Sequence, residues 1–198
     1  MRSRKTILNL ILLTGFMLVN WSWSEDTAST IIFEVPTLAE EFEMDGRLSE
    51  PVWSGASVIK QFYLSEGETP TKVNARVLLF LDGKSLVFGF DLPALETEQE
   101  AKRCFLSDEY DLRRVPNVTI TLDPEHQHGA YYKFVIDPEG RRQDLRVDDE
   151  SWITEWTAST VQDGSRLTAE VRIPVDKISS EPLEGLFWGF NVSFTKAD

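Results

Sequence analysis

Cysteine is nearly absent from this chain, and histidine is scarce. Cys104 is the only cysteine in 198 residues, so no disulfide can form within one molecule. A chain without disulfides depends on its hydrophobic core, and this length is enough for a sizeable one. The two histidines, His126 and His128, lie on one short stretch with no third ligand beside them. The sequence therefore gives little support to a Ser-His-Asp triad or a transition-metal site.

Positively charged residues and long apolar runs are also few. The chain has 20 lysines and arginines against 33 aspartates and glutamates, for a net charge of −13. Nucleic acids and anionic lipid surfaces both require a basic footprint, so we expect neither as a partner. The acidic excess favours solubility and supplies the oxygen ligands that calcium prefers.

The first 24 residues have the pattern of a signal peptide. Three basic residues lie within the first five positions, a mostly apolar stretch spans 7–19, and small residues flank the tryptophan of 22–24. This order predicts cleavage before Glu25, with an uncleaved N-terminal anchor as the alternative. Cleavage would remove three positive and no negative charges, which takes the net charge from −13 to −16. We expect the mature chain in the periplasm, at the cell surface or outside the cell.

Most of the remaining chain alternates between apolar and polar residues with a period of two. This period is typical of half-buried strands, and turns rich in Gly, Pro, Asp and Asn separate the alternating runs. No long amphipathic helix and no internal repeat interrupt the pattern. It predicts an all-β fold, an antiparallel, jelly-roll-like β-sandwich with short helical turns in its loops. The predicted strands cover 30–36, 73–81, 86–91, 117–123, 132–136, 156–161, 167–174 and 186–194.

Several landmarks resemble one known family. The run Met44-Asp45-Gly46-Arg47-Leu48-Ser49-Glu50-Pro51-Val52-Trp53 is similar to the opening of carbohydrate-binding module family nine and its wider relatives. Later landmarks follow in the family's order: a Val-x-Ile-x-Leu-Asp strand at 118–123, Glu170-x-x-Ile-Pro, and Trp-Gly-Phe-Asn at 188–191. Met44 replaces the usual isoleucine, Ser49 the usual aspartate, and Thr119 an acidic residue of the sugar-binding members.

The resemblance divides the chain into a signal peptide (1–24), an N-terminal extension (25–41) and a family-nine-like β-sandwich domain (42–198). It implies a non-catalytic domain that binds a polysaccharide or oligosaccharide and is linked to carbohydrate breakdown through a partner enzyme. The alternative is a structural or interaction domain on the same scaffold without a sugar site, such as the periplasmic N-terminal part of a larger outer-membrane protein. A glycoside hydrolase in its own right is a third hypothesis. No Gly-x-Ser-x-Gly, phosphate-loop or His-Glu-x-x-His motif is present.

Sugar binding by stacking needs more than one aromatic ring. Stacking that removes about 100 Å² of apolar surface yields roughly 2.5 kcal/mol, and millimolar binding needs about 4 kcal/mol. Trp152, in an acidic loop segment, is the best stacking candidate, with Tyr110 as a second wall and Trp156 as a weaker candidate. Arg113 and Arg114 could donate forked hydrogen bonds to hydroxyl groups or a carboxylate. The alternatives are packing for the aromatic residues and charge balance for the arginines.

Two further expectations concern calcium and the core. Asp108 and Asp111 could contribute oxygen ligands to calcium, although their spacing does not match an EF-hand and a solvated acidic loop is the alternative. No other cofactor is expected. Trp53 and Trp188 lie in strongly apolar patterns, so we expect both in the core rather than in a sugar site.

Overall fold

The computed structural model describes residues 8–12, 31–63, 70–95, 112–126, 129–149, 151–180 and 187–195. Strands dominate these ranges, and helical structure is limited to short 3₁₀ turns over Pro51–Gly55, Leu112–Arg114 and Val175–Lys177. The strands are β1 (Leu8–Leu12), β2 (Ile31–Val35), β3 (Ser57–Ile59), β4 (Arg76–Leu81), β5 (Ser85–Pro93), β6 (Asn117–Asp123), β7 (Tyr132–Ile136), β8 (Arg142–Arg146), β9 (Thr157–Asp163), β10 (Arg166–Pro174) and β11 (Phe187–Thr195).

The strands form two sheets. Sheet A has the order β2-β1-β11-β6-β7-β8, and sheet B has the order β3-β4-β5-β10-β9. Neighbouring strands are antiparallel except for β1 and β11, which run parallel. The predicted all-β sandwich is confirmed. No helix within the described ranges has the length and apolar character needed to cross a lipid bilayer.

Strand β1 lies inside the predicted signal peptide. It pairs with β2 on one side and β11 on the other. Cleavage before Glu25 would remove this strand, so β2 and β11 would each lose a hydrogen-bonded neighbour. The division of the chain into signal peptide, extension and domain stays a prediction.

The main core lies between the sheets and follows the period of two. In β6, Val118, Ile120 and Leu122 face inward and are almost fully buried. In β11, Trp188 and Phe190 do the same. Trp188 is 0% exposed, which confirms its predicted place in the core. Because alternate side chains of a strand point to opposite faces, the remaining residues of these strands lie on the outer face of sheet A.

A second apolar cluster lies on the outer face of sheet B. Residues 38–56, the cover segment, pack their apolar side chains there against Leu78, Phe80 and Val87. Strand β4 is therefore buried on both faces, since Val77 and Leu79 join the main core while Leu78 and Phe80 join the second cluster. This double burial explains why both the odd-numbered and the even-numbered residues of β4 are apolar in the sequence.

Three strands, β1, β3 and β8, were not predicted, and β1 lies in the stretch assigned to the signal peptide. Strand β8 has the sequence Arg-Gln-Asp-Leu-Arg, which lacks apolar alternation because it forms the edge of sheet A and is only partly buried. Strand β3 spans only three residues. Short or polar edge strands leave little hydrophobic pattern in a sequence.

Candidate functional site

The opening motif and the later Glu170 meet in space. Gly46 N donates a hydrogen bond to Glu170 Oε2 (2.8 Å), and Trp53 Nε1 donates to Glu170 Oε1 (3.2 Å). Thr168 Oγ1 donates to Gly46 O (2.7 Å), and Ser159 Oγ donates to Met44 O (2.7 Å). These contacts attach the cover segment to β9 and β10. The two family landmarks are thus partners in one structural contact.

Trp53 is the apolar centre of this contact. It is 4% exposed, and its ring meets Phe42 and Phe80 edge to face with centroids 5.8 and 5.2 Å away. Its other neighbour is the backbone of Gly89, where an added Cβ would lie 2.7 Å from the indole. The indole has no face open to a ligand, and its predicted place in the core is confirmed.

Glu170 is a fully buried carboxyl group on the outer face of sheet B. The pKa of Glu170 is raised to about 7, chiefly by burial and also by the nearby carboxylates of Glu50 and Asp45, while the hydrogen bonds from Gly46 and Trp53 oppose the shift. Oxygen atoms of Asp45, Glu50 and Glu170 all lie within 4.8 Å of one another. Such a group could in principle hold a proton or a cation.

Trp152 and Trp156 lie near each other against β7 and β8. The Trp152 ring packs on Tyr132 and Phe134 with centroids 4.8 and 6.1 Å away, and Trp156 packs edge to face on Phe134 at 5.3 Å. Asp144 accepts hydrogen bonds from Trp156 Nε1 (3.2 Å) and Thr154 N (2.8 Å). Both indoles therefore help to close the edge of the sandwich.

An open cleft of about 520 Å³ lies beside Trp156. Trp156 is only 6% exposed, because the Arg142 guanidinium lies over its ring at 5.5 Å from the centroid and donates a hydrogen bond to Trp156 O. A sugar could stack on Trp156 only after Arg142 moved away. Trp152 is half-buried and packs against the main core.

Arg113 and Arg114 lie in the 3₁₀ turn Leu112–Arg114, on the other side of sheet A from Trp152. The turn packs on Val135, which points outward from β7, whereas both tryptophans pack on the inward-facing Phe134. Asn117 Nδ2 fixes the turn by donating to Leu112 O and Val115 O. Tyr110, Asp108 and Asp111 lie outside the described residues, so the predicted Tyr110 wall and calcium site stay predictions.

The outer face of sheet A next to this turn is polar. Its outward side chains come from three neighbouring strands whose register places Asn191 beside Thr121 and Thr121 beside Lys133, with Ser193 and Thr119 in the next row. Asn191 and Ser193 are exposed, and the other three are half-buried. We call these five residues the polar face. It offers hydroxyl, amide and ammonium groups on rigid strands.

Aromatic rings lie at one end of the polar face. Lys133 Nζ lies over the Tyr131 ring at 5.4 Å from its centroid, and Phe187, which precedes β11's buried Trp188, is 49% exposed. Gly189, two residues after Phe187, is buried under the side chains of Asp123 and His126, to which an added Cβ would lie at 3.1 and 3.3 Å. The end of the face thus combines apolar rings with polar groups, the combination that a sugar ring requires.

Comparisons with known proteins agree with this architecture. The structure is similar to that of a family 9 carbohydrate-binding module from Caldicellulosiruptor kristjanssonii in complex with glucose, with a TM-score of 0.59 and 18% identity over 82% of this chain and 78% of that one. It is also similar to a family 9 module from the same organism in complex with cellotriose, with a TM-score of 0.58 and 17% identity over 80% and 74% of the two chains.

The chain has the fold of a family 9 carbohydrate-binding module. At this level of identity the likeness establishes the fold, and it confirms the resemblance suggested by the sequence motifs. No protein-family model matches the sequence, and no curated protein matches it either.

The polar face was not predicted as a site. Its signal was present in the sequence, because Thr119 and Thr121 alternate with Val118, Ile120 and Leu122 in β6, and Asn191 and Ser193 alternate with apolar residues in β11. That pattern indicates one solvent-facing side for each strand. What it lacks is the pairing of β6 with β11 across almost 70 positions, which only the fold provides.

Proposed function

We propose that this chain is an exported, non-catalytic carbohydrate-binding domain that binds a saccharide on the polar face of sheet A. The observation that carries the proposal is the row of hydroxyl, amide and ammonium groups on β6, β7 and β11, in a fold shared with modules whose structures contain glucose and cellotriose. Flat strands hold these groups in place, so little conformational entropy is lost on binding.

The chemistry of the polar face suits neutral sugars. Asn191 both donates and accepts hydrogen bonds, Thr121 and Ser193 carry hydroxyl groups, and Lys133 donates only. The rings of Tyr131 and Phe187 can contact the C–H face of a pyranose. Each hydrogen bond contributes about 0.5–1.5 kcal/mol net, so several are needed to reach millimolar affinity at about 4 kcal/mol.

The sandwich edge that carries Trp152 and the cleft beside Trp156 is the second candidate for the sugar. Trp152 supports this candidate because it is only half-buried, whereas the Arg142 guanidinium over Trp156 opposes stacking on that ring. Both candidates use different sides of sheet A, so single substitutions separate them.

Binding is tested by titrating the protein with cellotriose and glucose in a calorimeter. We expect millimolar or tighter binding that weakens by about 3- to 10-fold in Asn191→Ala and in Thr121→Val, because each change removes one hydrogen-bonding group from the face. Thr157→Ala, at an exposed position of β9 in the other sheet, is the matched control and should bind as the parent does. Loss of binding in Trp152→Phe, with none in Asn191→Ala, would place the sugar at the sandwich edge around Trp152. No binding of any saccharide would favour a structural or interaction domain.

Export is tested on the protein secreted from cells. We expect the exported chain to begin at Glu25, because the small residues before it suit a signal peptidase. Mass spectrometry of the N-terminus reads the result directly. A chain that retains Met1 in the membrane fraction would indicate the uncleaved anchor.

A further inference from the structure

Three carboxyl groups meet where the cover segment lies on sheet B. Asp45 and Glu50 come from the cover segment, and Glu170 comes from β10, with oxygen atoms within 4.8 Å of one another. Glu170 is 0% exposed, Glu50 is partly buried and Asp45 is exposed. Like charges this close, with one of them out of water, repel strongly unless one group is neutral.

Cations do not balance this cluster. Among the described residues, no lysine or arginine forms an ion pair with Glu170. Arg172, two residues further along the same face of β10, pairs instead with Asp82 at 2.9 Å and lies over the Phe42 ring. The strands on either side bring Ser159 and Gly89 opposite Glu170, and neither carries a charge.

The cluster also has more acceptors than donors. Glu170 receives the N–H groups of Gly46 and Trp53, and Asp45 Oδ1 receives the N–H of Arg47. Glu50 Oε2 is buried without a hydrogen-bond partner. A proton on Glu170 would remove one charge and add one donor, while both Glu170 oxygens could still accept the N–H groups they now receive.

We propose that Glu170 is protonated when the cover segment is closed on sheet B, and that its ionisation loosens the segment, so that this contact is a pH-sensitive latch. The latch joins the two landmarks of the sequence, because Gly46 and Trp53 both donate to the group that titrates. The proton comes from solvent and returns to it, and no other reactant takes part.

The direction of the pH effect follows from the raised pKa of Glu170, about 7 against 4.5 for a free glutamate. A group whose pKa is higher in the folded state than in the unfolded state stabilises the fold fully at a pH below its unfolded-state pKa. This stabilisation is lost as the pH rises through the folded-state pKa. The loss therefore falls between about pH 4.5 and pH 7. A shift of this size corresponds to a change on the order of a hundredfold in the unfolding equilibrium constant.

The test compares the parent protein and the Glu170→Gln variant by urea unfolding at pH values from 5 to 8.5. We divide the unfolding equilibrium constant of the parent by that of the variant at each pH. This ratio should increase by a factor of tens or more up to about pH 7 and then level off. Glu155→Gln, which removes an exposed carboxylate elsewhere, should leave that ratio flat. Hydrogen exchange of the Gly46 amide, corrected for its intrinsic rate, should lose protection over the same pH range in the parent.

Two results would overturn the proposal. The first is a flat ratio together with constant Gly46 protection from pH 5 to pH 8.5. The second is calcium restoring Gly46 protection at pH 8 in the parent but not in Glu50→Gln, since the cluster would then hold a cation rather than a proton. If Glu170→Gln does not fold, Glu50→Gln replaces it. The loss of Gly46 protection should then be smaller and end at lower pH, because Glu50 no longer raises the pKa of Glu170.

Discussion

Replacing Trp53 with alanine should lower the free energy of unfolding by about 3 to 5 kcal/mol. The indole is 4% exposed and fills the space between Phe42, Phe80 and the Gly89 backbone, so its removal leaves a cavity. The change also takes away the donor to Glu170 Oε1, and an unsatisfied buried acceptor adds to the cost. Chemical denaturation monitored by far-ultraviolet circular dichroism measures the effect.

Trp152→Ala is the matched control for the loss of an indole. Trp152 is half-buried, so the same substitution should cost only about 1 to 2 kcal/mol, in proportion to the smaller area that it buries. Saccharide affinity in a Trp53→Ala protein that is still folded should stay unchanged, because the polar face lies on the other sheet. A Trp53→Ala variant as stable as the parent would mean that the cover segment does not pack as described.

Replacing Gly46 with alanine should cost about 2 to 4 kcal/mol. Gly46 has a φ of +84°, which L-residues adopt only with strain, and an added Cβ would lie 2.9 Å from Thr160 C and 3.0 Å from Thr160 N. Because these are backbone atoms of β9, they cannot rotate away as a side chain could. The cover segment must therefore move away from β9. This movement weakens the hydrogen bonds to Glu170 and from Thr168.

Gly83→Ala separates the cost of backbone strain from the cost of the close contact with β9. Gly83 has a similar φ of +90° in the β4–β5 turn, but nothing lies within 4 Å of an added Cβ. This variant should therefore show the backbone strain alone, about 1 to 2 kcal/mol. Denaturation midpoints of the two variants, measured side by side, give the difference. Equal losses would contradict the close approach of Gly46 to β9.

The sequence was sufficient to predict the sandwich. Strands β5, β6, β10 and β11 carry regular apolar alternation because one face of each lies in the core, and their turns carry Gly, Asp or Pro at the required places. The edge strand β8 was missed because its partly buried, polar residues leave no such pattern. Edge position alone did not prevent recognition, because the edge strands β2 and β9 were predicted.

The candidate site was harder to predict than the fold. The polar face takes its residues from three strands that are far apart in the chain, and alternation marks each residue only as outward-facing. The contact between Glu170 and the opening motif spans more than a hundred positions. The sequence pattern offered Trp152 as a stacking residue and Trp156 as a weaker candidate, but it could not indicate that Arg142 covers Trp156.

Two landmarks of the family resemblance, the opening motif and Glu170, are therefore structural. Trp53, Gly46 and Glu170 fasten the cover segment to sheet B, while the polar face lies on sheet A. Keeping these residues preserves the scaffold and places no restriction on the ligand. Thr119, where the family resemblance implies an acidic residue, belongs to the polar face and carries a hydroxyl group that donates to Asn117 Oδ1 (2.9 Å).

The most direct test of the account is a titration of the isotopically labelled protein with cellotriose, followed by amide chemical shifts. The account predicts that the shifting amides cluster on Thr121, Lys133 and Asn191, with the amides of the cover segment unchanged. Shifts confined to Trp152 and its neighbours, or none at saturating cellotriose and glucose, would contradict the assignment of sugar binding to the polar face.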